Sequence, residues 1–243
     1  MTILVVGASG ATGKHVVNQL LVNHHQVKVI VRSADKLPET WKKNKNLQII
    51  EASLLDISKD DLNTYVKGCD AMASCLGHNL TWKGLFGHPK RLVTEATERL
   101  CHAITAAQLK KPVKFVLMNT SGNSNRDLNE PISFAQKCVI FLLRLLLPPH
   151  VDNEKAADYL RTEIGKNNTC IEWCAVRPDG LINENEVSAY ELHPSPIRSA
   201  IFNAGKVSRI NVGHFMASLI TDDALWNTWK GQMPVIYSQS SNN

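Results

Sequence analysis

The sequence predicts an α/β fold, a Rossmann-like doubly wound parallel sheet, from three observations. An apolar run at residues 3–6 leads directly into a glycine-rich turn and then an amphipathic helix. Strand-like and helix-like segments then alternate along the chain, as they do in βαβ units. The 243 residues, 44% hydrophobic and 20% charged, suffice for one large domain with an ample core.

Short apolar runs predict the strands, and apolar residues at helical spacing predict the helices between them. The predicted strands are 3–6, 26–32, 47–51, 70–75, 113–118, 171–176 and 235–237. After the first helix, the predicted helices are 60–66, 89–109, 132–147, 153–164 and 212–229. We expect a single NAD(P)-binding domain over residues 1–243, in which segments near 124–149 and 182–205 form a small C-terminal substrate-side region. Residues 238–243 are expected to fray.

Three glycines at three-residue spacing follow the first strand. Gly7 suits a tight turn, Gly10 lets the backbone approach a phosphate, and Gly13 lets the helix pack on the strand. The free N–H groups of the helix N-terminus favour an anion here. We therefore expect the loop to bind a dinucleotide pyrophosphate, with contacts from Gly7, Ser9, Gly10, Ala11, Thr12 and Gly13. An ordinary turn is the alternative; a P-loop does not fit, because His15 replaces its serine or threonine.

The end of the second predicted strand carries cations where an NAD-binding fold has an acid. That acid binds the ribose 2′-hydroxyl, whereas this chain has Arg32, then Ser33, with Lys36 close behind. Cations suit the 2′-phosphate of NADP. The sequence therefore predicts NADP as the cofactor, with NADPH preferred over NADH. Asp35 would weaken this preference if it pointed inward, and a plain surface role for Arg32 is the alternative.

Ligands of such sheets bind beyond the carboxyl ends of the strands. Six strand-end segments should therefore converge on one crevice: 7–13, 32–36, 52–55, 76–79, 119–125 and 177–180. Within them, we expect cofactor contacts from Leu54, Leu76, Gly77 and Thr120.

Two polar residues in these segments are candidates for contact with substrate. His78 could donate a proton or contact substrate, and a solvent-facing loop histidine is the equal alternative. Ser121 could hydrogen-bond a substrate carbonyl, and a turn-capping serine is the alternative.

Composition limits the partners and the compartment. The charge of +5 is modest, and an anionic cofactor explains it more simply than nucleic acid does. None of the six cysteines forms a CxxC pair, so we expect reduced, mostly buried thiols and no metal site.

The apolar stretch 138–149 contains Arg144 and is too short to span a bilayer, so we expect a core or interface helix, with membrane-surface contact as the alternative. The chain shows no signal peptide, which favours a cytoplasmic location. A homo-oligomer or a protein partner stays open.

Several motifs together resemble one superfamily. They lie at 7–13, 29–38, 119–121, 176–181 and 207–212. On these residues the chain resembles the atypical short-chain dehydrogenase/reductase superfamily. Within it, the chain is similar to the NAD(P)H-binding, NmrA-like group that includes the flavin reductase/biliverdin-IX-beta reductase type. The resemblance covers nearly the whole chain and implies a Rossmann-like domain that binds NADP. It places Arg32 and Lys36 at the 2′-phosphate, Arg177 and Pro178 along the nicotinamide end, and 208–209 before the last major helix.

One motif of that superfamily is missing. Most of its enzymes carry Tyr-x-x-x-Lys, in which the lysine lowers the tyrosine pKa for proton transfer. Here Val151 stands four residues before Lys155, and the only similar pair is reversed, Lys155 and Tyr159. This argues against ordinary alcohol dehydrogenation. It leaves flavin or quinone reduction open, because hydride comes from the cofactor and water or a weak acid can supply the proton. The flavin reductase type also lacks the pair.

The sequence therefore favours an NADPH-dependent oxidoreductase that transfers hydride to a small conjugated acceptor of the flavin or quinone type. Ser121 and Lys155 are the candidate catalytic residues, and His78 and Ser121 the candidate substrate contacts. For Lys155 and Tyr159, an ordinary place on an amphipathic helix is the alternative. A non-enzymatic NADP-sensing regulator that acts through a protein partner is the rival function. A sugar-nucleotide or isomerase-type enzyme is the weaker one, since those usually need the tyrosine.

Overall fold

A mostly parallel eight-stranded sheet, flanked by helices, forms the body of the molecule. The computed structural model describes residues 1–35, 37–78 and 87–239. Its strands are β1 (Thr2–Val6), β2 (Gln26–Val31), β3 (Leu47–Glu51), β4 (Ala71–Ser74), β5 (Val113–Met118), β6 (Ile171–Pro178), β7 (Gly180–Ile182), β8 (Tyr190–His193), β9 (Lys206–Ser208) and β10 (Val235–Ser238). Its helices are α1 (Gly13–Val22), α2 (Glu39–Lys42), α3 (Lys59–Val66), α4 (Leu92–Ala106), α5 (Phe134–Leu146), α6 (Pro148–Tyr159), α7 (Arg209–Thr221) and α8 (Asp223–Trp229). A π-helical turn, Leu160–Ile164, extends α6.

The strand order confirms the predicted fold class. The large sheet runs β3-β2-β1-β4-β5-β6-β10-β8, and β7 pairs with β9 in a separate two-stranded sheet. The neighbouring strands of the large sheet are parallel, except that β8 runs antiparallel to β10. The chain order reverses beside β1, which pairs with β2 on one side and β4 on the other. Such a reversal opens a crevice at the carboxyl end of the central strand.

Both faces of β1 are buried, which explains its unbroken apolar sequence. Ile3 and Val5 pack in one core with buried residues of α1 and α7. Leu4 and Val6 face the opposite core, built with α3, α4 and α6. The helices therefore hold the carboxyl end of β1, and the loop that follows it, in a fixed position.

The predicted elements are found with shifted boundaries, and two shifts have clear causes. The helix predicted over 212–229 is two helices, because Asp222 accepts the N–H groups of Ala224 (2.8 Å) and Leu225 (3.1 Å) and caps the start of α8. The helix predicted from 153 begins at Pro148, since proline suits the first turn of a helix.

Four of the shortest elements, each of three or four residues, were not predicted. They are α2, β7, β8 and β9, which are too short to show a hydrophobic period. Ser238, which was expected to fray, instead pairs as the last residue of β10 with Tyr190 of β8. The rest of the expected tail, 240–243, lies outside the described residues.

The cysteines are unpaired, and the described residues form no metal-binding cluster. All six cysteines are free thiols, and Cys138 is exposed. Within the described ranges, no cluster of three or more His, Cys, Asp or Glu residues could hold a metal ion. In the same ranges no single helix is long and apolar enough to cross a membrane; α5 and 148–164 pass that test only as a pair, across a bend of 104°.

Candidate functional site

The loop after β1 has a shape that only glycine permits. Gly7 has φ +73°, and a Cβ on it would lie 2.5 Å from the carbonyl of Cys75. A Cβ on Gly13 would overlap the carbonyl oxygen of Gly7, so α1 starts in direct contact with the strand end. The N–H of Gly10 donates to the Gly7 oxygen at 3.0 Å and closes the turn. These contacts match the roles that the spacing predicts for Gly7 and Gly13.

The start of α1 is suited to an anion. Thr12 occupies the N-cap position but its side chain makes no capping hydrogen bond, and the first turn carries no acid. Ser9, Gly10 and Ala11 are exposed, while Thr12 and Gly13 are buried. The positive end of the helix dipole therefore faces an open loop of small residues, which can hold a phosphate.

A cleft of about 350 Å³ opens beside this loop. Its lining brings together seven of the residues predicted to bind the cofactor: Gly7, Ser9, Gly10, Arg32, Leu54, Leu76 and Gly77. They come from the segments after β1, β2, β3 and β4, as the strand-end rule requires. The cleft therefore has the size and position for the adenosine half of a dinucleotide.

The cationic end of the cleft is formed by Arg32, which is exposed and lines the wall. Asp35 is exposed and accepts a hydrogen bond from the Ser33 hydroxyl at 3.2 Å, so its carboxylate is engaged outside the cleft lining. The predicted contact Lys36 lies outside the described residues. Among described residues, Arg32 is thus the cation placed to meet a 2′-phosphate.

His78, which follows Gly77 of the cleft lining, forms a buried pair with Asp152. Its Nε2 donates to Asp152 Oδ2 at 2.8 Å, and the His78 side chain is 5% exposed. Asp152 also accepts the N–H groups of Val93 (2.7 Å) and Thr94 (2.9 Å) and the Thr94 hydroxyl (2.6 Å). Burial alone would raise the pKa of Asp152, but these hydrogen bonds together lower it. An anionic Asp152 accepts this hydrogen bond from Nε2 and so orients the His78 ring.

Ser121 is buried and faces a carboxylate. Its hydroxyl donates to Asp179 Oδ1 at 3.0 Å, and Asp179 Oδ2 accepts the N–H of Gly205 at 2.8 Å. The hydroxyl oxygen of Ser121 is therefore disposed to accept a hydrogen bond rather than to give one to a carbonyl. Its N–H binds the carbonyl oxygen of Pro178 at 2.9 Å, which joins the ends of β5 and β6. Thr120 is half-buried, and its hydroxyl accepts the N–H of Gly122 at 3.3 Å.

The predicted crevice is divided into two cavities. Ser121 lies at a second cavity, about 200 Å³, which is lined from the segments 124–149 and 182–205 by residues that include Ser124, Glu130 and Arg198. Gly7 and Arg32 line the first cleft and not this one. The two predicted substrate-side segments thus enclose a space of their own next to the ends of β5 and β6.

The side chain of Arg177 has a structural role. Its side chain is completely buried, and all five N–H donors are used. They bind both oxygens of Glu130 (2.7 and 3.2 Å) and the carbonyl oxygens of Asn123, Pro194 and Met233. The guanidinium therefore has no donor left for a cofactor.

Lys155 and Tyr159 do not form a catalytic pair. Lys155 is exposed on α6 and, in the part of the chain that the structure describes, lies outside both cavities. The Tyr159 ring packs edge-on against His102, with ring centres 6.5 Å apart. Burial, then the charges of Cys101, Glu98 and Glu163, raise the pKa of Tyr159 to about 12. A phenol that acts as an acid near neutral pH needs a lowered pKa, so Tyr159 does not replace the missing tyrosine.

A match to a family model identifies the family of this chain. The model described as NAD(P)H-binding matches residues 7–223. The chain belongs to the NAD(P)H-binding family. This agrees with the resemblance stated from the glycine loop and the later motifs.

Solved structures share the Rossmann-like fold of this NAD(P)H-binding protein. A short-chain dehydrogenase/reductase from Veillonella parvula, in complex with NADP, has a TM-score of 0.70 at 14% identity, with 100% of this chain and 96% of that one covered. The anaerobillin reductase ChuY from Escherichia coli O157:H7 has a TM-score of 0.69 at 14% identity, with full coverage of both chains. A proposed NADH-flavin reductase from Streptococcus pneumoniae has a TM-score of 0.63 at 20% identity, covering 98% and 100%. At these identities the likeness shows the fold. A search of curated proteins finds no match.

The sequence reasoning missed the acidic partners in this NAD(P)H-binding protein. Asp152, Glu154 and Asp179 are buried, and each accepts hydrogen bonds from a residue near the site. Asp179 directly follows β6, so the strand-end rule could have found it. Asp152 and Glu154 reach their partners only because α6 packs beside α4 and α5, which no local pattern shows.

Proposed function

We propose that this protein is an NADPH-dependent oxidoreductase that transfers hydride to a small conjugated acceptor of the flavin or quinone type. The observation that carries the proposal is the place of Arg32, in the wall of the glycine-loop cleft at the end of β2. Family membership supports an NAD(P)H cofactor. Two neighbours in fold, the proposed NADH-flavin reductase and the anaerobillin reductase, support the acceptor class.

The residues present fit the cofactor. Gly7 and Gly13 leave no room for a side chain, and the start of α1 is uncapped and free of acids in its first turn. This loop would hold the pyrophosphate, and Arg32 with Ser33 and Lys36 the 2′-phosphate. Gly77 and the backbone at Thr120 and Pro178 would border the nicotinamide end. When bound, the reduced nicotinamide supplies the hydride.

The protein side of the reaction is positioning and proton supply. His78 follows Gly77, which lines the cleft, and the anionic Asp152 orients its ring. We propose that His78, held by this carboxylate, contacts the acceptor or donates the proton that accompanies hydride transfer. Ser121 would accept a hydrogen bond from an N–H or O–H group of the acceptor. Lys155 stays a weaker candidate, as a contact near the ribose.

The test is turnover with purified protein. NADPH oxidation is followed by the loss of nicotinamide absorbance with a panel of flavins, quinones and linear tetrapyrroles, and the same panel is run with NADH. We expect one acceptor class to support turnover at a higher kcat/KM with NADPH. Tight NADPH binding with no turnover on any acceptor would contradict the proposed oxidoreductase activity.

That last outcome would favour the rival, an NADP-sensing regulator that acts through a protein partner. Val151 in place of the tyrosine and the exposed Lys155 are the observations in its favour. A sugar-nucleotide or isomerase-type enzyme is the weaker alternative, because such enzymes usually need a proton-transferring tyrosine and this chain has Val151 at that position. We further propose a cytoplasmic location, in which the six free thiols would stay reduced.

A further inference from the structure

Helix α5 exposes an unusually large apolar face. Of its 13 residues, Ile140 alone is buried. Large side chains that a folded protein normally covers are in solvent instead: Phe134 is 82% exposed, Leu145 65% and Leu146 63%, and Phe141 and Leu142 are more than half exposed. An exposed apolar patch of this kind marks a surface that meets something apolar.

The exposed side chains share one side of the helix. At about 100° per residue, Phe134, Phe141, Leu142 and Leu145 fall within an arc of about 100°, and Ile140 points away from its centre. Cys138 lies inside the same arc and is exposed. Lys137 and Arg144 lie together at one border, between the arc and the body of the molecule. The Cys138 thiol, a weak donor and acceptor, is the polar side-chain group of the arc, and no charged side chain lies inside it.

The charges around the face have one sign. Residues 131–151 contain no Asp or Glu, whereas Lys137, Arg144 and His150 all lie there. The acids just outside this segment are committed inside the protein: Glu130 to Arg177, and Asp152 to His78 and Thr94. Glu154 is buried and binds Arg144 through both oxygens at 2.9 Å, while the rest of that guanidinium stays partly exposed.

We propose that α5 lies in the interfacial region of a membrane that contains anionic lipid. Phe and Leu side chains on one side with cations at the border are the pattern of a helix that rests in the membrane plane, and the cations favour negatively charged headgroups. A second copy fits less well. In a two-fold antiparallel pairing of α5 with itself, the cationic borders fall on the same side, so Lys137 meets Arg144 of the other copy, whose Glu154 is already bound to that arginine through both oxygens.

The test is vesicle flotation of the full chain with two lipid compositions. One is phosphatidylcholine alone, and the other is equal parts phosphatidylcholine and phosphatidylglycerol. We expect the wild type to float with the anionic vesicles, and Leu142→Glu/Leu145→Glu to bind them at least about tenfold less. The matched control is Val22→Glu on α1, whose side chain is 73% exposed and belongs to the opposite side of the sheet; it should float like the wild type. Lys137→Glu should weaken binding to the anionic vesicles only.

A second measurement uses the wild-type helix itself. An environment-sensitive dye on the exposed Cys138 should shift to shorter wavelength when anionic vesicles are added. The proposal is overturned if the dye does not shift, or if the α5 double variant floats as well as Val22→Glu. It is also overturned if sedimentation equilibrium shows a wild-type dimer that the α5 variant dissociates, because the face then meets a second copy. None of these readouts depends on turnover, so they stand whether or not the oxidoreductase is confirmed.

Discussion

Two arginines at strand ends differ in burial, and this difference decides which of them is available to a ligand. Arg177, at the end of β6, is completely buried and every donor binds a protein acceptor. Arg32, at the end of β2, is exposed in the wall of a cleft beside the phosphate-binding loop. Both residues are strand-end cations in the sequence. The structure assigns the first to the fold and leaves the second available to a ligand.

Arg32→Ala should change cofactor selection. The guanidinium is placed to form charge-assisted hydrogen bonds with a 2′-phosphate, which NADH lacks. We expect the NADPH Kd to rise about 10- to 100-fold and the NADH Kd by less than about threefold. Calorimetric titration of both cofactors measures this. Arg126→Ala, which removes an arginine paired with Asp158 at 2.6 Å, is the control and should change neither Kd. Equal losses for the two cofactors would show that Arg32 does not read the phosphate.

Glu154 should make stability depend on pH in the acid range. Burial favours its neutral form, but His150 (Nε2 3.4 Å from Oε1) and Arg144 together lower the pKa of Glu154 from 4.5 to about 2. A lowered folded-state pKa means that the carboxylate stabilises the fold above pH 4.5, and that this contribution is lost as the pH falls towards about 2.

Urea unfolding at pH 6 and pH 3 tests the Glu154 prediction. We expect the wild type to lose about 1–2 kcal/mol more unfolding free energy over this range than Glu154→Gln, which has no carboxylate to protonate. The variant should be less stable than the wild type at pH 6, since Arg144 loses its charged partner. Parallel losses for the two proteins would mean that Glu154 is not held ionised in the folded state.

At the scale of elements, the sequence predicted what local patterns determine. The continuous apolar run of β1 and the spacing of Val16, Val17, Leu20 and Leu21 were enough to place β1 and α1. The break at Asp222 was not predicted, because an N-cap acid inside an apolar helical period is visible only when its hydrogen bonds are known. The packing of α1 on α7 was also beyond the sequence, since α1 ends at Val22, α7 begins only at Arg209, and the folded sheet brings the two together.

Gly213 is the residue on which that helix contact depends. A Cβ here would lie 2.5 Å from the Cβ of His15 and 3.0 Å from the backbone of Val16, and neither atom is the flexible end of a side chain. Gly213→Ala must therefore push α7 away from α1. We expect it to lower the unfolding free energy by about 1–3 kcal/mol, although alanine favours helix. Gly77→Ala, where a Cβ meets nothing within 4 Å, is the control for stability and should change it by less than about 0.5 kcal/mol. An unchanged midpoint for Gly213→Ala would mean that the two helices separate at no cost.

At the scale of the whole molecule, the two halves of the site differed in how far the sequence could predict them. The half around Gly7, Arg32 and Gly77 depends on short motifs at strand ends, and the structure brings those residues into one cleft. The half around Ser121 depends on contacts between distant segments. Asp179 reaches Ser121 across 58 residues of the chain, and Gly205 reaches Asp179 across 26, in hydrogen bonds that no local pattern encodes.

The buried pair of Glu130 and Arg177 holds that second half to the sheet. Glu130 Oε1 lies 2.7 Å from Arg177 Nη2, and Glu130 also accepts the N–H of Asn125 at 2.9 Å. Arg177 extends the connection to the carbonyl oxygen of Pro194, at 3.1 Å. One ion pair therefore links β6 to both substrate-side segments.

Glu130→Gln should consequently destabilise the whole molecule. It removes the negative charge but keeps the size of the side chain, and it leaves Arg177 buried without a counter-charge, which typically costs about 3–5 kcal/mol. Urea unfolding measures the loss, and Glu98→Gln is the control. Glu98 pairs with Arg91 at 3.2 Å where both side chains are partly exposed, so its loss should cost less than about 1 kcal/mol. If both variants lost the same small amount, water would have to reach Arg177, and the substrate-side segments would be held to the sheet by their apolar contacts instead.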